Sequence, residues 1–368
     1  MKIDLNAVDL TQFMVHQHIL GGQVVHLVQP QNIGINWTQE TKIFRSSVWD
    51  NDGNLVSAGF PKFTNWGEKP EVFPVPTSLK GATVMEKLDG SLLVVSNWNG
   101  NLILRTRGTV DAYQLNNGHE LEAFKEYADK LLSDWSEKYG ETWPTSLLFE
   151  WVSPNQKIIL NYGDEPQFYL VGAVEHLEYD IWPQGALDIL AEMNGLLRPP
   201  HYTFNDVADL LANVEAWKGK EGVCVYSFDG KPQIHKVKGA WYLALHHMKS
   251  ELASFDKIID VWFNLGRPSY TDFYNKVATQ FDFELANQIQ GDMSRICDGW
   301  KEVEKIRLGL NAFVENKLKP LPTRRDQAAL TLSAYGQTNR ASFIFKLLDG
   351  KTLSDDDLKK LLYQVLKR

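Results

Sequence analysis

Residues 87–91 read Lys-Leu-Asp-Gly-Ser and place an amine, a carboxylate and a glycine side by side. A neutral lysine amine can attack the α-phosphate of a nucleotide, and a glycine lets the backbone approach a ligand closely. A surface lysine is ordinarily a solvated cation, but Lys87 lies between the apolar runs 83–85 and 92–95. This setting predicts a strand junction that lines a cleft. Because the attacking amine must be neutral, its pKa has to fall through burial, neighbouring cations or a metal ion.

Two later segments place an acid in an apolar, strand-like setting. Glu150 lies within Leu-Phe-Glu-Trp-Val, where burial of a carboxylate is costly unless it binds a partner. Glu221 precedes Gly222 and a second apolar run. Taken singly, each fits an edge strand whose acid faces solvent. A functional carboxylate at these positions would accept a hydrogen bond from a ribose hydroxyl or from metal-bound water.

Cations recur at a spacing of two. Lys236 and Lys238 share one face of a predicted strand, and Arg105 and Arg107 share a face in the same way, because side chains alternate with period two. Like charges on one face repel unless an anion lies between them, and a triphosphate would serve. A solvated edge strand is the alternative. Arginine can also grip phosphate in a bidentate manner. We expect the two lysines to supply the positive field that lowers the pKa of Lys87.

Further cations lie among aromatic residues upstream. Arg45 follows Phe44, and residues 60–68 contain Lys62, Phe63 and Trp66. These aromatic side chains could sandwich a nucleobase while the cations contact its phosphates.

The elements that must position these residues are short strands followed by helices. Residues 121–135 and 207–214 predict amphipathic helices, the second with Asn205 or Asp206 as its N-cap. After about Trp241 strand signals nearly vanish. Apolar residues then recur at helical spacing over 289–313, and residues 352–368 predict a closing helix capped by Ser354. The strands predicted from β-branched and aromatic runs are 92–95, 102–106, 147–151, 168–174, 222–226 and 234–238.

Composition narrows the class of protein. With 368 residues, we predict two domains, 1–243 and 244–368, the second all-helical. The formal charge of −8 argues against a protein that coats nucleic acid non-specifically. The two cysteines, Cys224 and Cys297, lack the spacing of a zinc site or a disulfide framework. No signal peptide or membrane span is recognised, so we expect a soluble, cytoplasmic protein without membrane contact.

In their order along the chain, these segments resemble motifs I, III or IIIa, IV and V of the covalent nucleotidyltransferases, which comprise DNA ligases, RNA ligases and mRNA-capping enzymes. Three stretches resemble the phage RNA ligase 1 family in particular: Phe-Pro-Lys-Phe-Thr-Asn before Lys87, Phe-Glu-Trp-Val-Ser-Pro-Asn-Gln-Lys-Ile-Ile-Leu-Asn-Tyr, and Lys-Val-Lys followed by Tyr242. The resemblance runs from about Arg45 to Tyr242. It implies an α+β fold, in which an adenylyltransferase domain with mostly antiparallel sheets precedes a helical domain.

The resemblance implies an ATP-dependent RNA ligase that joins a 3′-hydroxyl to a 5′-phosphate through lysyl-AMP and RNA-adenylate, in repair of broken tRNA. Lys87 would be the nucleophile, and Mg²⁺ or Mn²⁺ would be held by Glu150 and Glu221 through water, with Tyr242 as a further ligand. The protein would be a monomer in the cytoplasm, that of the host cell if a phage encodes it. The implied nucleotide- and phosphate-binding residues are Arg45, Lys62, Phe63, Glu86, Asp89, Gly90, Arg105, Arg107, Glu150, Glu221, Lys236 and Lys238.

Three positions depart from the family pattern, and several alternatives stay open. Arg105 and Arg107 stand where lysines are common. Thr64 stands where a second aromatic residue often stacks on adenine, which leaves Phe63 or Trp66 for that task. A DNA ligase or capping enzyme is one alternative, but these enzymes usually carry a strand-rich OB domain after motif V, where residues from Trp241 onward predict helices. A non-catalytic RNA-binding protein is a further alternative. A small-molecule kinase is disfavoured because the sequence contains no G-x-x-x-x-G-K-[ST] phosphate loop. The helical domain would contribute RNA or tRNA specificity through a patch of cations. Alternatively, these cations are only a solvated surface: Lys317, Lys319, Arg324, Arg325 and Arg340.

Overall fold

The computed structural model describes residues 1–31, 34–228, 232–252, 254–280, 283–338 and 340–367. The chain forms two compact units, Met1–Leu243 and Ala244–Arg368. The described strands all lie in the first unit: β1 (Phe13–Leu20), β2 (Gln23–Pro30), β3 (Ser47–Asp50), β4 (Leu55–Ala58), β5 (Thr64–Asn65), β6 (Thr83–Lys87), β7 (Ser91–Trp98), β8 (Asn101–Thr106), β9 (Thr145–Val152), β10 (Gln167–Glu175), β11 (His201–Tyr202), β12 (Gly222–Ser227) and β13 (Gln233–Lys238).

These strands form three sheets. The first has the order β1-β2-β3-β4, the second β10-β9-β7-β8, and the third β11-β6-β12-β13-β5. Neighbouring strands are antiparallel except β13 and β5, which run parallel. The predicted fold class, mixed α and β with mostly antiparallel sheets and a helical C-terminal part, is confirmed.

The core of the first unit lies where the three sheets meet. Met85 of the third sheet, Leu148 of the second and Trp49 of the first belong to one buried apolar cluster. The far face of the second sheet packs against α1 (Lys125–Tyr139) and α2 (Gln184–Asn194). Burial of apolar area on both sides stabilises this sheet strongly and fixes the direction in which each of its side chains points.

Local capping agrees with the sequence in one helix and shifts the start of another. The third sheet is covered on its far face by α3 (Val207–Glu215), which begins at the predicted N-cap Asp206. The helix predicted from residue 121 begins instead as a 3₁₀ turn over Gly118–Phe124 and becomes α1 afterwards. The sequence reading did not assign the strands of the first sheet.

Helices joined by turns make up the described part of the second unit, which contains no strand. The long helix α7 has Met293, Ile296 and Val303 on its buried side, as the spacing over 289–313 predicted. A π-helical turn, Val314–Leu318, follows it. None of the described helices combines the length and apolarity that crossing a bilayer requires. The remaining helices are α4 (Ala240–Glu251), which begins in the first unit, α5 (Phe255–Asn264), α6 (Tyr270–Gln280), α7 (Phe283–Phe313), α8 (Arg324–Tyr335), α9 (Ala341–Leu348) and α10 (Asp355–Leu366), with Ser354 as the N-cap of α10.

Candidate active site

Strand register brings Lys87, Glu221 and Lys238 together. In the third sheet Gly222 of β12 pairs with Lys87 on one side and with Lys238 on the other, so the preceding Glu221 lies between the two lysines. Its Oε2 atom is 2.8 Å from Lys87 Nζ and its Oε1 atom is 2.8 Å from Lys238 Nζ. Since Glu221 is only 2% exposed, one buried carboxylate bridges two ammonium groups.

Glu150 lies near the same three residues on the second sheet, and its charge acts on Lys87. The surroundings of Lys87, Glu150, Glu221 and Lys238 are called the cleft below. Glu150 lies on β9, and its Oε1 atom accepts a hydrogen bond from the Gly90 N–H at 3.1 Å. A Cβ atom at Gly90 would lie 2.5 Å from the Trp151 carbonyl oxygen, so the chain can pass here only as glycine. Burial raises the pKa of Glu150 to about 7, although the nearby Lys87 ammonium opposes the shift. This carboxyl group therefore titrates near neutral pH.

The electrostatics of Lys87 differ from the sequence-based expectation. Burial by itself lowers the pKa of Lys87, but the carboxylates of Glu221 and Glu150 outweigh burial and leave it raised. The predicted positive field of Lys238 is neutralised at this point because Glu221 lies between the two lysines. Without a ligand, Lys87 is thus a protonated ammonium group. A nucleophilic role would require that it lose this proton when a ligand binds.

A group of cations continues along the third sheet beyond Lys238. Lys236 lies 5.3 Å from the centre of the Phe63 ring, and Arg45 lies 5.1 Å from the same ring. Burial, together with the charges of Arg45 and Lys238, lowers the pKa of Lys236 to about 8. Burial and Arg45 also lower the pKa of Lys62. Like charges that perturb one another in this way mark a place where an anion would be stabilised.

Asp89 ties together three segments around Lys87. Its Oδ1 atom accepts the Tyr242 hydroxyl at 2.6 Å, and its Oδ2 atom accepts the backbone N–H groups of Ile159 at 2.6 Å and Leu160 at 2.9 Å. The carboxylate is 4% exposed. Asp89 therefore organises the cleft rather than facing a nucleotide, and the hydroxyl of Tyr242, which was expected to reach a metal, donates to a carboxylate instead.

Glu86 lies away from the cleft, which corrects its expected role in nucleotide binding. As the neighbour of Lys87 on β6, it points to the opposite face of the sheet. There its Oε2 atom accepts the Tyr202 hydroxyl and lies 3.0 Å from Lys220 Nζ. The side chain has its partners on the α3 side of the sheet.

Arg105 is likewise placed differently from the expectation that it contacts phosphate. It is 0% exposed, and its guanidinium group donates to oxygen atoms of Ser46, Ser57 and Thr106. Arg107 is exposed, because β8 ends at Thr106 and strand alternation stops there. The two arginines do not share a face.

The carboxylates that remain suit a hydrated magnesium ion. Within the described part of the chain, three or more His, Cys, Asp or Glu side chains nowhere converge as a metal-binding group. Mg²⁺ is usually held by one or two carboxylates together with water and substrate phosphates. Glu150 and Glu221 supply that number of carboxylates, whereas Asp89 and Tyr242 are bonded to each other. The donor set therefore fits the ion through Glu150 and Glu221.

Tyr169 is a candidate ligand-binding residue that was not predicted from the sequence. It lies directly opposite Glu150 in the β9–β10 register, so both side chains point to the same face of the second sheet. The partly buried ring packs against the central core, and its hydroxyl donates to Gln167 Oε1 at 2.5 Å. The run 168–174 predicts the strand, but the residue opposite Glu150 follows only from the register.

Trp66, one of the two expected stacking residues, lies elsewhere. It packs against His235, with ring centres 5.7 Å apart, in the apolar cluster beneath α3. His235 and Lys236 point to opposite faces of β13, so Trp66 lies on the far side of the sheet from the cations. Phe63 lies among the cations themselves.

Comparisons with known proteins identify relatives of this chain. A family model described as RNA ligase matches residues 42–251. A protein of Thermovibrio ammonificans named "Putative RNA ligase" is 28% identical over 198 residues, which are 53% of this chain and 50% of that protein. The chain thus matches about half the length of this curated relative.

Solved structures align more distantly. An archaeal ATP-dependent RNA ligase (form 2) gives a TM-score of 0.43 at 14% identity, covering 76% of this chain and 72% of that one. The Naegleria gruberi RNA ligase with PPi gives 0.40 at 14%, covering 64% and 77%. Likenesses of this size carry no argument of their own.

Proposed function

The chain belongs to the RNA ligase family, whose model matches residues 42–251 of its 368, and on this premise we propose that it is an ATP-dependent RNA ligase. The observation that carries the proposal is the bridge from Glu221 to Lys87 and Lys238, set among cations that repel one another. A bound triphosphate would relieve that repulsion and would place its α-phosphate beside Lys87.

The first step forms lysyl-AMP. Lys87 Nζ, once it has lost its proton, attacks the α-phosphate of ATP. The new N–P bond forms as the bond to pyrophosphate breaks. The ion pair with Glu221 has to open first, because it holds Lys87 as an ammonium group. When bound, Mg²⁺ at Glu150 and Glu221 would supply positive charge that offsets the phosphates and disfavours protonation of the amine.

The cations have separate tasks in this proposal. Lys236 and Lys238 contact the α-phosphate and its neighbours from β13. Arg45, Lys62 and Arg107 bind the outer phosphates of ATP or the 5′-phosphate of the RNA. Lys238 and Lys236 lie on β13, and Lys236 is 5.3 Å from the ring of Phe63, which precedes β5. This arrangement supports a triphosphate bound at the β13–β5 end of the cleft.

The base then points toward the opposite end. From Lys87 the third sheet runs through β6 to β11, and the second sheet ends in β10, which carries Tyr169. Glu150, one strand away, would accept a hydrogen bond from a ribose hydroxyl. We therefore propose Tyr169, in place of Phe63 or Trp66, as the residue that stacks on the base.

The later steps transfer AMP from Lys87 to an RNA 5′-phosphate and then displace it by a 3′-hydroxyl. The helical unit would contribute specificity for RNA, with broken tRNA as the proposed substrate. Its cations are partly neutralised, since Lys319 lies 2.6 Å from Glu315 and Arg324 pairs with Asp349. A role for these two residues in binding RNA phosphate would require that the ion pairs open.

A DNA ligase or capping enzyme is the second candidate, and the helical unit argues against it. Those enzymes usually place a strand-rich OB domain after the paired lysines, whereas the described part of 244–368 contains helices and no strands. A pure RNA-binding protein would not require Lys87, Glu150, Glu221 and both β13 lysines together.

Incubation with α-labelled ATP and Mg²⁺, followed by denaturing electrophoresis, tests the proposal. We expect label on the wild-type chain and none on Lys87→Ala. A matched control is Lys220→Ala, which removes a lysine from the opposite face of the same sheet and should retain the label. Absence of label with any divalent metal, or equal labelling of Lys87→Ala, would contradict the mechanism.

The substrate claim needs a second assay. The labelled enzyme is offered 5′-phosphorylated RNA or DNA strands with free 3′-hydroxyl ends. We expect RNA ends to be joined and GTP to replace ATP poorly. Efficient sealing of DNA nicks with little RNA joining would favour the DNA ligase alternative.

A further inference from the structure

The buried guanidinium of Arg105 lies at the junction between the first and second sheets. It donates through Nε to Ser57 Oγ at 2.7 Å, through one terminal nitrogen to Ser46 Oγ at 2.8 Å and the Thr106 carbonyl at 3.1 Å, and through the other to the carbonyls of Ser46 at 3.2 Å and Ser57 at 3.1 Å. All five N–H groups of an arginine are thereby used. No carboxylate among the described residues pairs with this cation.

The atoms that Arg105 holds are next to two further arginines. Arg45 lies over the Phe63 ring, and the charge of Arg107 adds to burial in lowering the pKa values of Arg45 and Lys62. Ser46 follows Arg45, and Thr106 precedes Arg107. Ser46 Oγ also donates to the Arg107 carbonyl at 2.9 Å, which links the two backbone segments directly. One buried side chain thus fixes the backbone beside both candidate phosphate-binding residues.

The turn that carries Arg45 is braced from its other end as well. The Tyr179 hydroxyl lies 3.2 Å from the Ile43 carbonyl and 3.0 Å from the Gly59 carbonyl. Tyr179 adopts a left-handed backbone with φ of 62°, which is costly for a bulky residue and persists only where its surroundings hold it. The 3₁₀ turn Thr41–Arg45 is therefore held from two sides.

We propose that Arg105 is a positioning residue, which sets the spacing of Arg45 and Arg107 for a polyphosphate chain without touching it. The proposal rests on the assignment of the cleft as a triphosphate site. Preorganised cations bind a phosphate chain more tightly than mobile ones, because less side-chain and loop entropy is lost on binding. Loss of Arg105 or of its link to Ser46 weakens binding while both cleft arginines remain in place.

Ser46→Ala is the decisive variant, because it keeps every charge and removes one hydroxyl that contacts Arg105 and the Arg107 carbonyl. Its matched control is Ser96→Ala. Ser96 is equally buried and contacts Ser57 and Ser146 at 2.8 and 2.7 Å, but not Arg105. The probe is inorganic tripolyphosphate, titrated by calorimetry, with thermal melts to confirm that each chain is folded.

We expect Ser46→Ala to weaken tripolyphosphate binding about fivefold, the loss typical of one hydrogen bond, and Ser96→Ala to weaken it less than about twofold. Arg105→Met should weaken it by tenfold or more wherever that variant folds, and Arg105→Lys should restore part of the loss. Equal effects of the two serine variants, or no binding by the wild-type chain, would overturn the proposal.

A double-mutant cycle separates positioning from general destabilisation. In an Arg107→Ala background the effect of Ser46→Ala should shrink, because the residue through which it acts is absent, whereas independent effects add. Additive losses would overturn the proposal. Because tripolyphosphate binding needs no catalysis, a chain that binds it in this pattern but forms no lysyl-AMP would contradict the proposed function and leave this inference standing.

Discussion

Two sets of cations in the first unit differ in how their charges are satisfied. At the sheet junction, Arg105 is buried and bonded to five neutral oxygens. In the cleft, burial and neighbouring cations lower the pKa values of Arg45, Lys62 and Lys236. Glu221 meets two lysines at once. A cation whose hydrogen bonds are all made has a structural role, whereas cations that repel one another are arranged for a ligand.

Lys236→Met should have the largest effect of the substitutions outside Lys87. We expect lysyl-AMP formation to fall about 100-fold or more, since a charge aimed at the reacting phosphate is lost. The ligand-free chain should melt higher at pH 7, because Lys236 has a folded-state pKa of about 8, below the ordinary 10.5, and its protonated form opposes folding. That stability gain should fade as pH rises from 8 to 10.5. A variant that loses both activity and stability would contradict the distinction between the two sets.

Tyr169→Ala should follow in size. We expect the KM for ATP in lysyl-AMP formation to rise about 10- to 100-fold, as for the loss of one base–aromatic stack, with a much smaller change in kcat. Tyr169→Phe should retain most of the affinity. Trp66→Ala on the far face is the matched aromatic control. A larger rise in KM for Trp66→Ala than for Tyr169→Ala would refute the assignment.

Glu150 predicts a pH dependence of moderate size. With a pKa of about 7, its carboxylate fraction and the adenylation rate should rise about eightfold from pH 6 to 7.5. Because the folded pKa lies above the ordinary 4.5, stability should fall as pH rises from 4.5 to 7. Glu150→Gln should flatten both profiles. The adenylation rate is measured against pH by rapid-quench methods at fixed ionic strength. A pH profile in Glu150→Gln like that of the wild type would point to another titrating group.

The smallest effect concerns the sheet junction. Ser146 Oγ lies 2.8 Å from His176 Nε2. Ser146, Ser96 and Ser57 are hydrogen-bonded in turn, and Ser57 accepts a hydrogen bond from Arg105. Burial, together with the charges of the N-terminal ammonium group and of Arg105, lowers the pKa of His176 to about 3. Because the folded-state pKa is lowered, neutral His176 contributes to the free energy of unfolding fully above pH 6.5, and this contribution is lost as pH falls toward 3. Urea unfolding at pH 7 and pH 4 should show a smaller pH difference for His176→Gln than for wild type.

The sequence predicted the elements of the cleft well because their signals are local. The β-branched runs and the acid-glycine step at Glu221 mark the strands, and α3 and α10 begin at the caps their sequences indicate. The strands of the first sheet were not predicted, because they contain polar residues such as His16 and Gln17, which break the apolar alternation of β1.

Roles that depend on register could not be predicted. Arg105 and Arg107 have identical spacing to a pair on one strand face, yet β8 ends between them. Tyr169 becomes a site candidate only through its pairing with Glu150, next to a bulge at Leu170 and Gly172 that shifts the register of β10. Glu86 differs from Lys87 by one position, which places it on the opposite face.

Peptide mapping of the adenylated chain tests the central claim most directly. The protein is incubated with ATP and Mg²⁺, digested, and analysed by mass spectrometry for a covalent AMP group. The account predicts one modified peptide, with AMP on Lys87, although Lys236 has the lower pKa in the ligand-free cleft. AMP on Lys236 or Lys238, or a chain without AMP, would contradict it.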